Sequence, residues 1–176
     1  ELTTNSPLQP SHSRIRVAMP VFLESGMKRA LVCGAGGFIG HQLTRRFKQE
    51  GHWVRGVDLN SPEFEETAAD EFKLRDLRLR ESCMESAEGM DEIYNLACDM
   101  GGMGFIENNK ALCMISVLMN TQMLMATREH EVPTYFFSSS ACVYNADKQV
   151  TVDVTPLKEE DAYPAMPEDG YGWEKL

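Results

Sequence analysis

The feature that most limits what this chain can become is the run Gly34-Ala35-Gly36-Gly37-Phe38-Ile39-Gly40. It separates a short apolar stretch, residues 29–33, from a segment whose apolar residues recur at helical spacing. Glycines 34, 37 and 40 give the pattern G-x-x-G-x-x-G. In a strand–turn–helix unit Gly34 permits a tight turn, Gly37 lets a phosphate approach the backbone, and Gly40 lets the helix pack closely on the strand. A helix opening at this point offers unpaired N–H groups and a partial positive charge to a diphosphate. Asp58 closes the next apolar run, Trp53-Val54-Arg55-Gly56-Val57, 18 residues beyond Gly40. A carboxylate at that place accepts hydrogen bonds from ribose hydroxyls, so the turn, the strand and the acid together predict a dinucleotide site. The same carboxylate repels a 2′-phosphate, and no Arg or Lys follows it closely. NAD is therefore expected over NADP, with nearby Arg55 the one residue that argues the other way.

Strand and helix signals alternate along the whole chain. Strands are expected at 29–33, 53–57, 72–74, 92–97 and 134–138. Helices are expected from Phe38 to about Glu50, stopped by Gly51, from Asp76 to Glu88, at about 107–130, and from Tyr171 onward. Residues 60–71 and 145–168 read as connections. Alternation of this kind predicts an α/β fold, a Rossmann-type doubly wound parallel sheet. The sheet is expected to stop after its fifth strand, one short of the order 3-2-1-4-5-6. Residues 1–26 show no sustained period and read as an extension or arm. The dinucleotide-binding domain is expected at 27–176, with Met27 as the natural start.

Composition narrows the partners. With 176 residues and 43% hydrophobic content, the chain can bury a core. A net charge of −10 makes it a poor binder of nucleic acid. No apolar run approaches the roughly 20 residues of a membrane span. Cys33, Cys83, Cys98, Cys113 and Cys142 are odd in number and form no C-x-x-C pair. They read mostly as small buried hydrophobes in a reducing, cytoplasmic setting, with no metal site expected. The methionines of 107–130 read as adaptable core.

Tyr171 and Lys175 stand at i and i+4, so both side chains share one helical face. An ammonium beside a phenol favours the phenolate and is expected to bring Tyr171 down toward neutrality as a base for a hydroxyl proton. Ser138-Ser139-Ser140 closes the fifth strand, at the end where open α/β sheets bind ligands. Ser140 there can hydrogen-bond a reacting oxygen. Asp76, in Arg75-Asp76-Leu77-Arg78, reads equally as a contact to an adenine amine or as a helix N-cap.

The glycine turn, Asp58, Asp76, Asn95-Leu96-Ala97, the serine run and Tyr171/Lys175 together resemble the extended short-chain dehydrogenase/reductase family. Three stretches are similar, more narrowly, to its GDP-mannose 3,5-epimerase branch. They are Ala97-Cys98-Asp99-Met100-Gly101-Gly102-Met103-Gly104-Phe105-Ile106, Ser139-Ser140-Ala141-Cys142-Val143-Tyr144, and Leu157 to Ala162 with Pro164 and the Tyr-Gly-x-Glu-Lys-Leu ending. The resemblance implies a homodimer using NAD on a nucleotide-sugar, GDP-mannose, oxidised at C4, inverted at C3 and C5 and reduced again at C4, in a longer protein whose substrate domain lies beyond Leu176. It implies cofactor contacts at Gly34, Gly37, Phe38, Ile39, Gly40, Asp58, Asp76, Leu77, Ala97, Tyr171 and Lys175. It maps the catalytic group onto Ser140, Tyr171 and Lys175, the base at C5 onto Cys142, and a sugar-facing loop onto Met100, Gly101 and Gly102. A sugar-nucleotide 4-epimerase, a 4,6-dehydratase, and an NAD-binding module inactive by itself remain open as alternatives. Asn145 departs from the family, which has Pro or Gly after Val-Tyr. Deleting residues 1–26 should leave the melting temperature and the NAD dissociation constant unchanged, measured by circular dichroism and by titration.

Overall fold

The protein is described here by a computed structural model that covers residues 26–63, 65–99, 102–150, 156–167 and 169–176. The expected arm, apart from Gly26, lies outside the described residues, as do Met100 and Gly101 of the sugar-facing loop.

The strands are β1 (Arg29–Cys33), β2 (Trp53–Asp58), β3 (Glu71–Leu74), β4 (Glu92–Asn95) and β5 (Thr134–Phe137). The helices are α1 (Phe38–Gln49), α2 (Arg80–Ala87), α3 (Met103–Asn108), α4 (Lys110–Glu129) and α5 (Asp169–Lys175), with short 3₁₀ turns in the 141–162 region. The five strands form one sheet in the order β3-β2-β1-β4-β5. Every pairing is parallel. This is the expected Rossmann-type arrangement.

β1 occupies the centre because its residues can be covered on both faces. Ala30, Leu31, Val32 and Cys33 are each 1% exposed or less. Successive side chains of a strand alternate. Leu31 and Cys33 join Val57, Ile93, Met119 and Met123 in the core beneath α2 and α4. Ala30 and Val32 join Val54, Tyr94 and Phe47 in the core beneath α1. Two apolar layers thus clamp the sheet, and all strand C-termini emerge on one edge.

Several element boundaries differ from the sequence expectation. The second helix begins at Arg80, not Asp76, because Asp76–Leu79 forms a turn in which the Leu79 N–H donates to the Asp76 carbonyl (3.1 Å). The long Met-rich helix starts at Lys110, and Met103–Asn108 forms a separate short helix that helical periodicity did not reveal. Of the α4 methionines, Met119 and Met123 are core, while Met114 and Met125 are more than 40% exposed. In α1 the buried face is Gly40, His41, Thr44 and Phe47, and Phe38 and Ile39 point outward. Gly51 ends α1 as expected, in a left-handed conformation (φ +86°). Among the described residues no helix is long and apolar enough to cross a membrane.

Ile93 is fully buried in the layer beneath α2 and α4. Ile93→Ala should cost about 2–5 kcal/mol of unfolding free energy, measured by urea denaturation.

Candidate functional site

The glycine turn folds back over the end of β2. The N–H groups of Gly34 and Ala35 both donate to the Val57 carbonyl, at 2.8 and 3.2 Å. This brings Asp58 under the turn. Its Oδ2 accepts from the Gly36 N–H (2.9 Å) and its Oδ1 from the Asn60 N–H (3.1 Å). Both carboxylate oxygens are thereby held by backbone and keep lone pairs for a ligand.

The glycines divide into two kinds. A side chain at Gly36 would overlap the Asn60 carbonyl, and one at Gly40 the Gly34 carbonyl. Gly34 adopts φ +80°. These three are required by the protein's own packing. A Cβ at Gly37 would meet nothing nearer than the Gly34 carbonyl at 3.4 Å. Gly37 is exposed and is the N-cap of α1, with no acidic residue in the following turn. The space that a side chain would occupy there opens toward a ligand held on the first-turn N–H groups. A cleft of about 360 Å³ lies in front of the turn, lined by Gly34, Gly36, Gly37, Phe38, Asp58, Leu77, Ala97 and Cys98 among others. Ile39, Gly40 and Asp76 are not part of its lining.

Asp76 does not cap α2; Leu79 holds that position. Its carboxylate accepts from the Arg78 backbone N–H (2.9 Å) and from the Arg78 guanidinium (2.6 Å at the closest), which holds it below the usual carboxylate range. Arg55 lies away from Asp58's ligand side. It is 8% exposed, pairs with Glu71 (2.6 Å), and donates to the Ser86 carbonyl (2.8 Å). Its argument for NADP therefore falls. In its place stands Arg75, which sequence proximity did not reveal. The β2–β3 register puts its N–H on the Asp58 carbonyl (2.9 Å). Arg75 is the one basic residue among those lining the cleft, and its guanidinium lies 3.4 Å from Glu85.

At the ends of β4 and β5 the serine run divides its work. Ser138 donates to the Asn95 carbonyl (3.4 Å), and Ser139 donates to the Lys175 carbonyl (3.0 Å). The Ser140 hydroxyl accepts from the Cys142 N–H (3.2 Å) and is hydrogen-bonded to the Tyr171 phenol. Cys142 packs against a cluster of Ile106, Cys113 and Tyr171. Cys33, Cys83 and Cys113 are fully buried, as expected of small hydrophobes, and all five thiols are free.

Tyr171 differs from the sequence expectation. Burial holds its phenol above the ordinary value, neighbouring Cys98, Glu174 and Cys142 add to this, and only the Ser140 hydrogen bond opposes it. The Lys175 ammonium lies over the ring faces instead, 5.7 Å from the Tyr171 centroid and 4.6 Å from that of Phe137. Lys175 is 3% exposed, and its Nζ has no hydrogen-bond partner among the described residues. A buried ammonium whose nearest acceptor is the Glu174 carboxylate, 3.4 Å away, keeps donors to spare, and it fits a ligand that brings hydroxyl oxygens to it.

Two further residues hold this region and were not singled out from the sequence as doing so. A side chain at Gly172 would overlap the Cys142 carbonyl, so glycine alone lets α5 seat on the Ser140–Tyr144 segment. Asn145 is 6% exposed; its side chain donates to the Pro164 carbonyl (2.9 Å) and accepts from the Asp147 N–H (2.9 Å). The residue that departs from the family pattern is thus a latch between the loop after β5 and the segment leading to α5. Among the described residues no group of His, Cys, Asp or Glu is arranged to hold a metal ion.

Residues 30–176 match the model of the NAD dependent epimerase/dehydratase family. The chain is 45% identical over 148 residues to GDP-mannose 3,5-epimerase of Arabidopsis thaliana, covering 82% of this chain and 39% of that protein. It is 44% identical over 151 residues to GDP-mannose 3,5-epimerase 1 of Oryza sativa subsp. japonica, covering 84% and 40%. A solved UDP-galactose 4-epimerase superposes with a TM-score of 0.69 at 27% identity, over 84% of this chain and 48% of that one. The chain thus spans about 40% of the length of the curated relatives it matches.

Gly172→Ala should lift α5 from its seat and cost about 1–3 kcal/mol. Hydrogen exchange checks this: α5 amides should lose protection while those of β1 and β2 keep theirs.

Proposed function

The chain belongs to the NAD dependent epimerase/dehydratase family, and on that premise we propose that it is the N-terminal, cofactor-binding portion of a GDP-mannose 3,5-epimerase. The observation that carries the reading is the gathering of Ser140, Cys142, Tyr171 and Lys175 next to Cys98, which itself lines the cleft in front of the glycine turn. The identity to two plant 3,5-epimerases supports the finer assignment.

In this reading the first turn of α1, from Phe38 to Gly40, and the exposed backbone at Gly37 hold the NAD diphosphate. Asp58 holds the adenosine ribose, and Leu77 and Ala97 supply apolar walls. Asp76 stays at the adenine end through its turn with Arg78. Lys175 donates to hydroxyls of the nicotinamide ribose. NAD, when bound, accepts hydrogen from the sugar carbon and later returns it. Tyr171 takes the proton of the C4 hydroxyl as its phenolate, a form that burial disfavours and the Ser140 hydrogen bond favours, and Ser140 holds that oxygen in line. The resulting ketone acidifies the neighbouring C–H bonds. Cys142 removes the proton at C5, and a second acid/base group on the opposite face of the sugar, outside this segment, delivers one to complete the inversion. The resemblance assigns contact with the sugar to Met100, Gly101 and Gly102.

The same reading takes the protein to be a cytoplasmic homodimer. Its free thiols suit a reducing compartment. The exposed Leu112, Met114, Leu118 and Met125 of α4 suit contact with a second copy.

The test is proton exchange. The full-length polypeptide carrying this segment is incubated with GDP-mannose in deuterated water, and the sugar is examined by NMR. Deuterium should enter at C3 and C5, and Cys142→Ala should abolish exchange at C5 while leaving oxidation at C4. Exchange at neither carbon points to a 4-epimerase and overturns the assignment.

A further inference from the structure

One buried charge near the reacting group takes no part in the proposed reaction. Glu174 is 6% exposed, and neither carboxylate oxygen has a hydrogen-bond partner among the described residues. Among the described residues its one ion-pair contact is the Lys175 Nζ, at 3.4 Å. Both side chains are 1% exposed, and among the described residues the Lys175 ammonium has no hydrogen-bond partner other than this ion-pair contact. A pair sealed from water with unsatisfied atoms on both sides is poor at stabilising a fold. A neutral residue at 174 would avoid burying a carboxylate here. The groups surrounding Glu174 are known from each packed element. α5 gives Tyr171 and Lys175, the segment after β4 gives Cys98, and α4 gives Cys113. Asp99 and Asp169 face the same thiols.

We propose that Glu174 is a positioning residue for the cofactor, which holds the Lys175 ammonium and offsets its charge at the nicotinamide end of the cleft. The inference rests on the reading that NAD occupies the cleft with Lys175 at its nicotinamide ribose. Its physical content is electrostatic. Oxidised NAD carries a positive nicotinamide ring and NADH a neutral one. An isolated buried ammonium disfavours the oxidised ring and leaves the reduced one nearly untouched. A carboxylate 3.4 Å from that ammonium cancels most of the bias. An enzyme that must oxidise and then reduce the same sugar on one bound cofactor needs both states held comparably. Glu174 supplies that balance while ionised. Burial pushes its carboxyl above the ordinary range, against the pull of Lys175. The balance therefore fails as pH falls through that raised titration.

The measurement is the ratio of NADH to NAD⁺ affinity against pH, by fluorescence and calorimetric titration of the purified protein. Glu174→Gln keeps the shape and removes the charge. It should shift the ratio toward NADH by about fivefold or more and make it independent of pH in the acid range. The wild-type ratio should match the variant's at low pH and depart from it as Glu174 ionises. In a Lys175→Met background, Glu174→Gln should no longer shift the ratio toward NADH, because the ammonium it offsets is gone. A purely structural Glu174 changes both affinities equally and leaves the ratio fixed, and that result overturns the proposal. If Glu174→Gln does not fold, the pH dependence of the wild-type ratio against Lys175→Met decides alone: a wild-type ratio without pH dependence overturns it. Asp58→Ala separates the two readings. If that variant binds both forms as the wild type does, the cofactor site itself is misassigned, whatever Glu174 does.

Discussion

The hydrogen bond from the Gly36 N–H to the Asp58 carboxylate joins the two halves of the cofactor cradle. It ties the turn after β1 to the end of β2, and it forms only because three glycines let backbone approach backbone. A side chain at Gly36 would strike the Asn60 carbonyl, and one at Gly40 would strike the turn itself. Once the turn is seated, α1 has no choice of direction. Its N-terminus faces the strand ends, and its Gly40–Phe47 face lies on Ala30, Val32 and Val54. The same contact fixes Asp58 where a ribose would meet it. Local backbone chemistry, core packing and ligand geometry are set by one close approach.

The region where α5 packs on the ends of β4 and β5 is built on different terms. There the structure buries polar groups: Asn95, Glu174 and Lys175 are each 6% exposed or less. Asn95 is satisfied, donating to the Tyr135 hydroxyl (2.9 Å) and accepting from the Ala97 N–H (3.2 Å). Glu174 and Lys175 are not. Buried polar groups that find partners stiffen a fold, and those that lack them mark where the fold serves something else. The satisfied strand end and the unsatisfied helix face meet next to the residues of the proposed chemistry.

Much of this was legible in the chain itself. Apolar runs ending in glycine or Asp gave the strands, and their alternation with helical spacing gave parallel order. Asp58 was found because its role depends on spacing from the turn, a one-dimensional quantity. Arg75 was not, because only the β2–β3 register brings it to Asp58. Arg55 looked close in sequence yet turns to the carbonyls at the end of α2. Asn145 looked like a departure from a pattern, and its use as a latch to Pro164 appears only when two distant loops meet. Glycine's need at 172 likewise depends on a carbonyl thirty residues earlier, that of Cys142.

The sequence by itself determined the alternation of strands and helices, the phosphate-binding turn and the helical pairing of Tyr171 with Lys175. Periodicity, glycine spacing and i,i+4 geometry are local properties of a covalent chain. Tertiary structure alone decided the charges. It raised the Tyr171 phenol through burial, laid the Lys175 ammonium over aromatic rings, and sealed Glu174 against it. Electrostatic energies depend on distance through space and on the exclusion of water, and neither is written in the order of residues.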